Sequence, residues 1–380
     1  MKLVSVVSGA LGMVLAIATV TPSSSPAARA EEPMLRAVVV IQGGGSPHPY
    51  TTPEDACDDG RPAFVQALVD AGFPTFTAPG FTNNSASTSG RSGCPVAPPV
   101  ELQWNTSGFP TQTGQAVLGF LGYLNATYGY TEFDLVGYSY GGVVARATVA
   151  ALKNYPSESQ VSPAFSYAGS AVKAGVRVTS ITTLNSPHLG SPAYDVVANP
   201  QRFTTRVAKA WGAKFAQHAK TLVVFERTNG AGAIQFLRTS AHAKPNPLNW
   251  DAAQVGILDD VPLTLIAGDY TPERCRKSAP PDADCDRTKA PRTDGTVPVY
   301  SQLMLPCPRI CPAPPGSVFI PPGLLPDSGV VRKTFPTVHS VYDARDYGVP
   351  ETLSVSSNPA AIAYLVTTLR DRWQQHAADQ

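Results

Sequence analysis

Glu132-Phe133-Asp134-Leu135-Val136-Gly137-Tyr138-Ser139-Tyr140-Gly141-Gly142-Val143-Val144-Ala145-Arg146-Ala147 is the stretch on which the fold turns. A short apolar run with a β-branched end reads as a buried strand, and the Ala/Val-rich run after it reads as a helix. Between them, glycines two residues either side of Ser139 let the backbone pack tightly in a sharp turn while one hydroxyl projects above the sheet. A bare Gly-x-Ser-x-Gly is common by chance in a glycine-rich chain and marks an ordinary turn as readily. Strand before and helix after make this one a nucleophile elbow, and an elbow demands partners elsewhere in the chain.

Working outward, Leu35 to Ile41 (LRAVVVI) is a continuous apolar, β-branched run, the pattern of a strand covered on both faces. It leads into Gln42-Gly43-Gly44-Gly45-Ser46-Pro47-His48-Pro49. Glycines there would let a backbone N–H approach a reacting carbonyl with no side chain in the way; a plain turn is the alternative. Pro62 to Ala71 and Thr113 to Tyr128 have helical periodicity, Pro74 to Ala78 reads as a short strand, and residues 79–110 read as a long loop. Val176 to Leu184 and Val261 to Gly268 are further strands, and Arg332 to Val338 is a weaker one. Pro359 to Gln374 is an amphipathic helix capped by Asn358, with Ile362, Leu365, Val366, Leu369 and Trp373 on one face. This alternation predicts an α/β fold with a mostly parallel central sheet flanked by helices. Residues 192–255 interrupt it. There Phe203, Val207, Trp211 and Phe215 recur every four residues as an apolar helical stripe, and Leu222 to Leu237 is again helix-like. Such an insertion is a candidate lid or cap over the serine, or an extra helical layer packed permanently on the core.

The N-terminus carries Lys2, an apolar run from Leu3 to Val20, a Pro/Ser patch and then Ala28-Arg29-Ala30. That is the pattern of a secretory signal peptide over 1–30, with a mature chain from Glu31 destined for export. A membrane anchor is the competing reading. The Gly and Ser residues inside the run and the Ala-x-Ala after it favour cleavage, and no later stretch is apolar enough to span. The remaining residues, 31–380, are enough for one large catalytic domain. With 29 basic and 28 acidic side chains, the charge gives no electrostatic case for nucleic acid or an anionic membrane. All six cysteines, Cys57, Cys94, Cys275, Cys285, Cys307 and Cys311, fall after the leader. An even count in an exported chain predicts disulfides, and local pairing (57–94, 275–285, 307–311) is the expectation among the fifteen connectivities that six cysteines allow. Cys307-x3-Cys311 sits among prolines with no histidine nearby, so no zinc site is expected.

A serine hydroxyl needs a base within hydrogen-bond reach, and the base needs a carboxylate to fix its tautomer. On an elbow-bearing fold the order along the chain is Ser, then Asp or Glu, then His. Of the six histidines, His48 precedes the serine, and His188, His218 and His242 precede the acid candidates. His376 lies in the polar C-terminal tail. His339 remains, after a strand and before the last helix. Two aspartates fit the acid: Asp269, directly after the Val261–Gly268 strand, and Asp294, in Thr293-Asp294-Gly295-Thr296-Val297-Pro298. A tight Asp-Gly turn against Val-Pro-Val inclines the choice to Asp294 and leaves Asp269 open.

The elbow, the segment Thr183-Leu184-Asn185-Ser186-Pro187-His188-Leu189-Gly190-Ser191, the Asp294-Gly295-x-Val297-Pro298 stretch and the late His339 together resemble the secreted lipases and esterases of the α/β-hydrolase superfamily. The resemblance covers roughly residues 35–190 and 261–375. It implies the α/β-hydrolase fold, in which residues 192–255 remain a candidate lid or cap insertion, and it implies Asp294 as the acid. It also implies His188 as a structural or pocket-lining residue. Catalytic residues Ser139, Asp294 and His339 would then cleave an ester or lipid substrate through an acyl-serine, with no cofactor and no metal. The first oxyanion loop of that family usually reads His-Gly, whereas this chain has Gln42-Gly43. By position Gly44 is implied as the first oxyanion donor, with Gly45 still open, and the backbone of Tyr140 as the second. Acyl transfer and thioester or amide hydrolysis use the same three residues and stay open as reactions. A catalytically dead binding module is disfavoured by the complete Ser/Asp/His set. The stripe at Phe203–Phe215 suggests transient contact with a lipid interface.

Overall fold

The computed structural model describes residues 35–56, 61–82, 95, 98–155, 163–211, 215–219, 232–242, 250–270, 292–306, 320–326 and 329–379. The expected leader 1–30 and all six cysteines, with their expected pairings, lie outside these.

The first strand, β1 (Leu35–Ile41), shows why the apolar runs become central strands. From Ala37 onward every side chain is fully buried. Ala37, Val39 and Ile41 belong to one core, with Val117, Leu121, Val143 and Val144. Val38 and Val40 belong to a second, with Phe64, Leu68, Leu365 and Leu369. The period-two alternation of the strand thus feeds two apolar layers, so both faces must be hydrophobic. The other strands are β2 (Thr75–Thr77), β3 (Gly80–Phe81), β4 (Trp104–Asn105), β5 (Tyr130–Tyr138), β6 (Arg177–Leu184), β7 (Leu263–Gly268) and β8 (Val330–Phe335). Six form one sheet in the order β2-β1-β5-β6-β7-β8, and every pairing in it is parallel. β3 and β4 form a separate two-stranded ribbon inside the segment read as loop.

One core layer is covered by α1 (Ala63–Asp70) and the C-terminal helix Pro359–Asp379. Asn358 Oδ1 accepts from the N–H groups of Ala360 and Ala361, both at 3.1 Å, which is the cap its sequence position predicts. The other layer is covered by α2 (Pro110–Tyr128), α3 (Tyr140–Lys153) and α4 (Pro163–Lys173). α2 starts three residues before the expected Thr113, because Pro110 takes the first helical position with its φ already set. Gly129, in the left-handed conformation, ends it. α4 was not foreseen. It packs on α2 so closely that a Cβ on Gly122 would stand 2.0 Å from Tyr167 O.

β5 also buries a charge. Asp134 is bound twice by Arg36, at 2.8 and 2.9 Å, and once by Trp373 Nε1 at 2.6 Å. A buried carboxylate is tolerable only when paired and saturated in this way. In the insertion, α5 (Pro192–Ala198) is followed by α6 (Pro200–Trp211) and a helical turn at 215–219, and these last two carry the expected stripe. Val207, Trp211 and Phe215 are buried against Leu189, Ala193, Val196 and Tyr300, with Phe203 partly covered. The stripe therefore has its own small core.

Candidate active site

In a parallel sheet the strands' carboxyl ends share one edge, and the loops that leave that edge gather there. Four of them matter: Gln42–Gly45 after β1, Ser139 after β5, the Asp294 turn beyond β7, and His339 beyond β8.

Ser139 sits at φ 52°, ψ −126°, a conformation that non-glycine residues rarely adopt, between the last residue of β5 and the first of α3. The neighbours leave no alternative. A Cβ on Gly137 would lie 2.3 Å from Gly142 Cα, and one on Gly141 would lie 1.9 Å from Ile41 O. One on Gly142 would meet Ser186 Oγ at 2.0 Å. The Ser139 N–H is fixed to Leu184 O at 2.8 Å. With this elbow at the end of β5 in a parallel sheet covered on both faces, the fold is that of the α/β-hydrolases.

Ser139 Oγ lies 2.8 Å from His339 Nε2, and His339 Nδ1 lies 2.7 Å from Asp294 Oδ2. The backbone N–H of His339 donates to Asp294 O at 2.9 Å, so the two segments are tied twice. Asp294 is fully buried, and its other oxygen accepts from the N–H groups of Thr296 (2.9 Å) and Val297 (2.6 Å). Burial pushes the Asp294 carboxyl up, against the opposing pull of His339 and those two N–H groups. Burial alone would lower His339, but the charge and hydrogen bond of Asp294 outweigh it, Asp343 adds to them, and the result is a raised pKa. The Nδ1 proton thus faces a carboxylate, leaving Nε2 as the atom that faces the serine. Asp269, the rival acid, is ion-paired with Arg292 at 2.6 Å instead.

Supporting residues were missed by sequence reasoning. Gln302 stitches the end of β7 to the acid turn: its Oε1 accepts from Gly268 N at 2.7 Å and its Nε2 donates to Val297 O at 2.7 Å. Tyr138 OH donates to His339 O at 2.9 Å and its ring stacks on the imidazole. His48, set aside by chain order, is buried beside the glycine loop with Nε2 2.6 Å from Gly43 O. Burial pushes it down to about 4 against that hydrogen bond, so it is neutral and Nε2 is the donor. A trans peptide sends its C=O and the following N–H in opposite directions, so this bond also orients the Gly44 N–H. Among the described residues that N–H has no partner, while the Gly45 N–H is bonded to Thr106 O at 3.2 Å. The loop lies against the elbow: a Cβ on Gly43 would be 3.3 Å from Ser139 Cβ, and one on Gly44 would be 3.2 Å from Tyr140 Cβ. Tyr140 opens α3, and its OH donates to Gly108 O at 2.7 Å. A histidine three residues after a glycine triplet was the available signal for this arrangement.

The other histidines are engaged elsewhere. His188 is buried, 3.2 Å from Thr183 Oγ1, and held far down by burial, Arg146 and His242. His242 pairs with Asp251 at 2.6 Å and His376 with Glu132 at 2.8 Å. No cluster of His, Cys, Asp and Glu able to hold a metal occurs among the described residues, and no helix among them is long and apolar enough to cross a membrane.

Residues 110–244 match the family model described as "Putative serine esterase (DUF676)". The matched segment runs from α2 through the elbow into the insertion and contains Ser139; Asp294 and His339 lie beyond it. No curated protein matches the chain. Similar solved structures include the mature form of lipase BlEst2 from Bacillus licheniformis, 12% identical with a TM-score of 0.42, over 88% of this chain and 92% of that one. Lipase 1 from Pelosinus fermentans is 14% identical with a TM-score of 0.42, over 87% of this chain and 98% of that one.

Proposed function

We propose that the protein is an exported carboxylic-ester hydrolase that works through an acyl-serine. Ser139 Oγ attacks the ester carbonyl as His339 Nε2 takes its proton, and Asp294 stabilises the resulting imidazolium. The oxyanion is held by the N–H groups of Gly44 and Tyr140. Gly44 is favoured over Gly45 because the latter's N–H already serves Thr106. His339 then gives its proton to the departing alcohol. A water, deprotonated by the same nitrogen, attacks the acyl carbon and restores Ser139. Ester and lipid substrates, export directed by 1–30, and a cap role for 192–255 belong to the same proposal.

The observation that carries the reading is the hydrogen-bonded line from the strained Ser139 through His339 to Asp294, with spacings of 2.8 and 2.7 Å. Family similarity over 110–244 supports the serine-esterase chemistry independently of that geometry. The test is Ser139→Ala, assayed on nitrophenyl esters of increasing chain length. Loss of about a million-fold in kcat is expected. Retained turnover in the purified variant would refute the assignment, and the chain-length series separates an esterase from a lipase.

A further inference from the structure

The insertion sends one titratable side chain into the neighbourhood of the acid and the base. His218, in the turn at 215–219, is buried, with its Nε2 2.8 Å from Asp343 Oδ1 and 2.9 Å from Thr296 Oγ1. Its Nδ1 is 2.9 Å from Asp346 Oδ2. Thr296 is the residue whose N–H holds Asp294 Oδ1, and its hydroxyl is bonded to Asp343. Asp343 lies in the first turn of helix Val341–Tyr347, capped by Ser340, the residue directly after His339. Three segments therefore meet at one imidazole: the insertion, the turn that aims the acid, and the helix that follows the base.

The donor count fixes the charge on that ring. The Thr296 hydroxyl has one proton, which goes to Asp343 Oδ1, so toward His218 it is an acceptor. Each ring nitrogen also faces an aspartate oxygen, and an ionised carboxylate only accepts. Both nitrogens must therefore carry protons, which makes the ring an imidazolium. The remaining groups around it agree. The Tyr347 ring lies 5.9 Å away, and the charge that acts from beyond the direct partners is His339. Burial disfavours the charged ring, but the bonds and charges of Asp343 and Asp346 outweigh it and raise His218 to about 9. Asp343, correspondingly, is held down to about 2: burial opposes this, but His218 dominates.

We infer that His218 is a positioning residue. As a standing cation it clamps the insertion to the Asp294 turn and the His339 helix, and it offsets the charge of Asp343 beside His339. Without it, a buried Asp343 carboxylate would face His339 uncompensated and strengthen the base's hold on its proton. The Thr296 N–H that orients Asp294 would also lose its side-chain anchor on the insertion. The proposal rests on the ester-hydrolase reading and goes beyond it by giving part of the insertion a fixed attachment to the site.

The experiment is the pH profile of kcat and KM for the wild type, His218→Gln, Thr296→Val and Asp346→Asn. In His218→Gln the acid limb of kcat/KM moves to higher pH, because His339 has lost a neighbouring cation and binds its proton more tightly. Its kcat falls about 10- to 100-fold with KM little changed, the scale of a small misplacement of reacting groups. Thr296→Val keeps every charge and lowers kcat without moving the acid limb. Asp346 is half exposed, so Asp346→Asn folds even if the buried variants do not. It weakens the hold on the His218 proton and brings the alkaline decline, expected near pH 9 in the wild type, to lower pH. An unmoved acid limb in His218→Gln, or an unmoved alkaline limb in Asp346→Asn, overturns the clamp. An active Ser139→Ala would overturn the ester-hydrolase reading instead, whatever the limbs do.

Discussion

At the elbow, Ser139 is held by lack of room; across the site, Asp294 and His339 are held by hydrogen bonds between segments far apart in the chain. Gly137, Gly141 and Gly142 admit no side chain, and the β5–α3 turn can close in only one way. Asp294 is close-packed as well, since a Cβ on Gly268 would stand 2.8 Å from its Cβ, but what ties Asp294 and His339 together is polar. Asp294 reaches the sheet through Gln302 and reaches Asp343 through Thr296, while His339 is tied back to Asp294 and to Tyr138. Repulsion makes the first region local and intolerant of added atoms. The second is polar, built over long range and sensitive to charge, so substitutions in the two regions fail in different ways.

Asp294→Asn tests the polar side with the largest expected effect. The amide keeps the shape and can still accept from Thr296 and Val297. It presents an N–H where His339 Nδ1 needs an acceptor, so the wrong tautomer is favoured. Turnover falls about 10⁴-fold while the protein stays folded. Equal loss of activity and of the melting transition would erase the distinction between the regions.

Gly141→Ala tests the packed side, and here folding is what fails. Its Cβ would lie 1.9 Å from a backbone oxygen of β1, which cannot yield without displacing the strand. Destabilisation of at least ~3 kcal/mol is expected, read by denaturant unfolding. A stable, inactive Gly141→Ala would mean that the elbow can relax.

The smallest effect sharpens the contrast through pH. His218 has a folded pKa of about 9, raised from 6.5 mainly by Asp343 and Asp346 against burial. Its contribution to stability is therefore complete below about 6.5 and is lost as pH rises through about 9. Melting temperatures of the wild type should fall across that window relative to His218→Gln, and parallel curves would count against the charged pair.

Much of the packed region was legible because its determinants are local. The apolar runs at 35–41, 177–184 and 263–268, the Gly-x-Ser-x-Gly turn and the Asn358 cap each declare themselves within a few residues. The polar region was legible only in outline. Chain order isolated His339, but the choice of Asp294 over Asp269 leaned on family resemblance. In the structure the difference is that Asp269 is taken by Arg292 while Asp294 faces the imidazole. His218, Thr296, Asp343 and Asp346 meet across 47 to 128 positions, and no local pattern announces such a junction. The weak strand placed at 332–338 forms instead at Val330–Phe335, an edge strand whose mixed polarity blurs its limits. The helix at Pro163–Lys173 was also missed.

The central claim is that Ser139 carries the acyl group. Rapid acid quench during turnover of a nitrophenyl ester, followed by proteolysis and peptide mass analysis, tests it directly. The account predicts the acyl mass on the peptide containing Ser139 within the first turnover, and its complete loss in Ser139→Ala. Full turnover with Ser139 unmodified, or acylation at another residue that persists in Ser139→Ala, would contradict it.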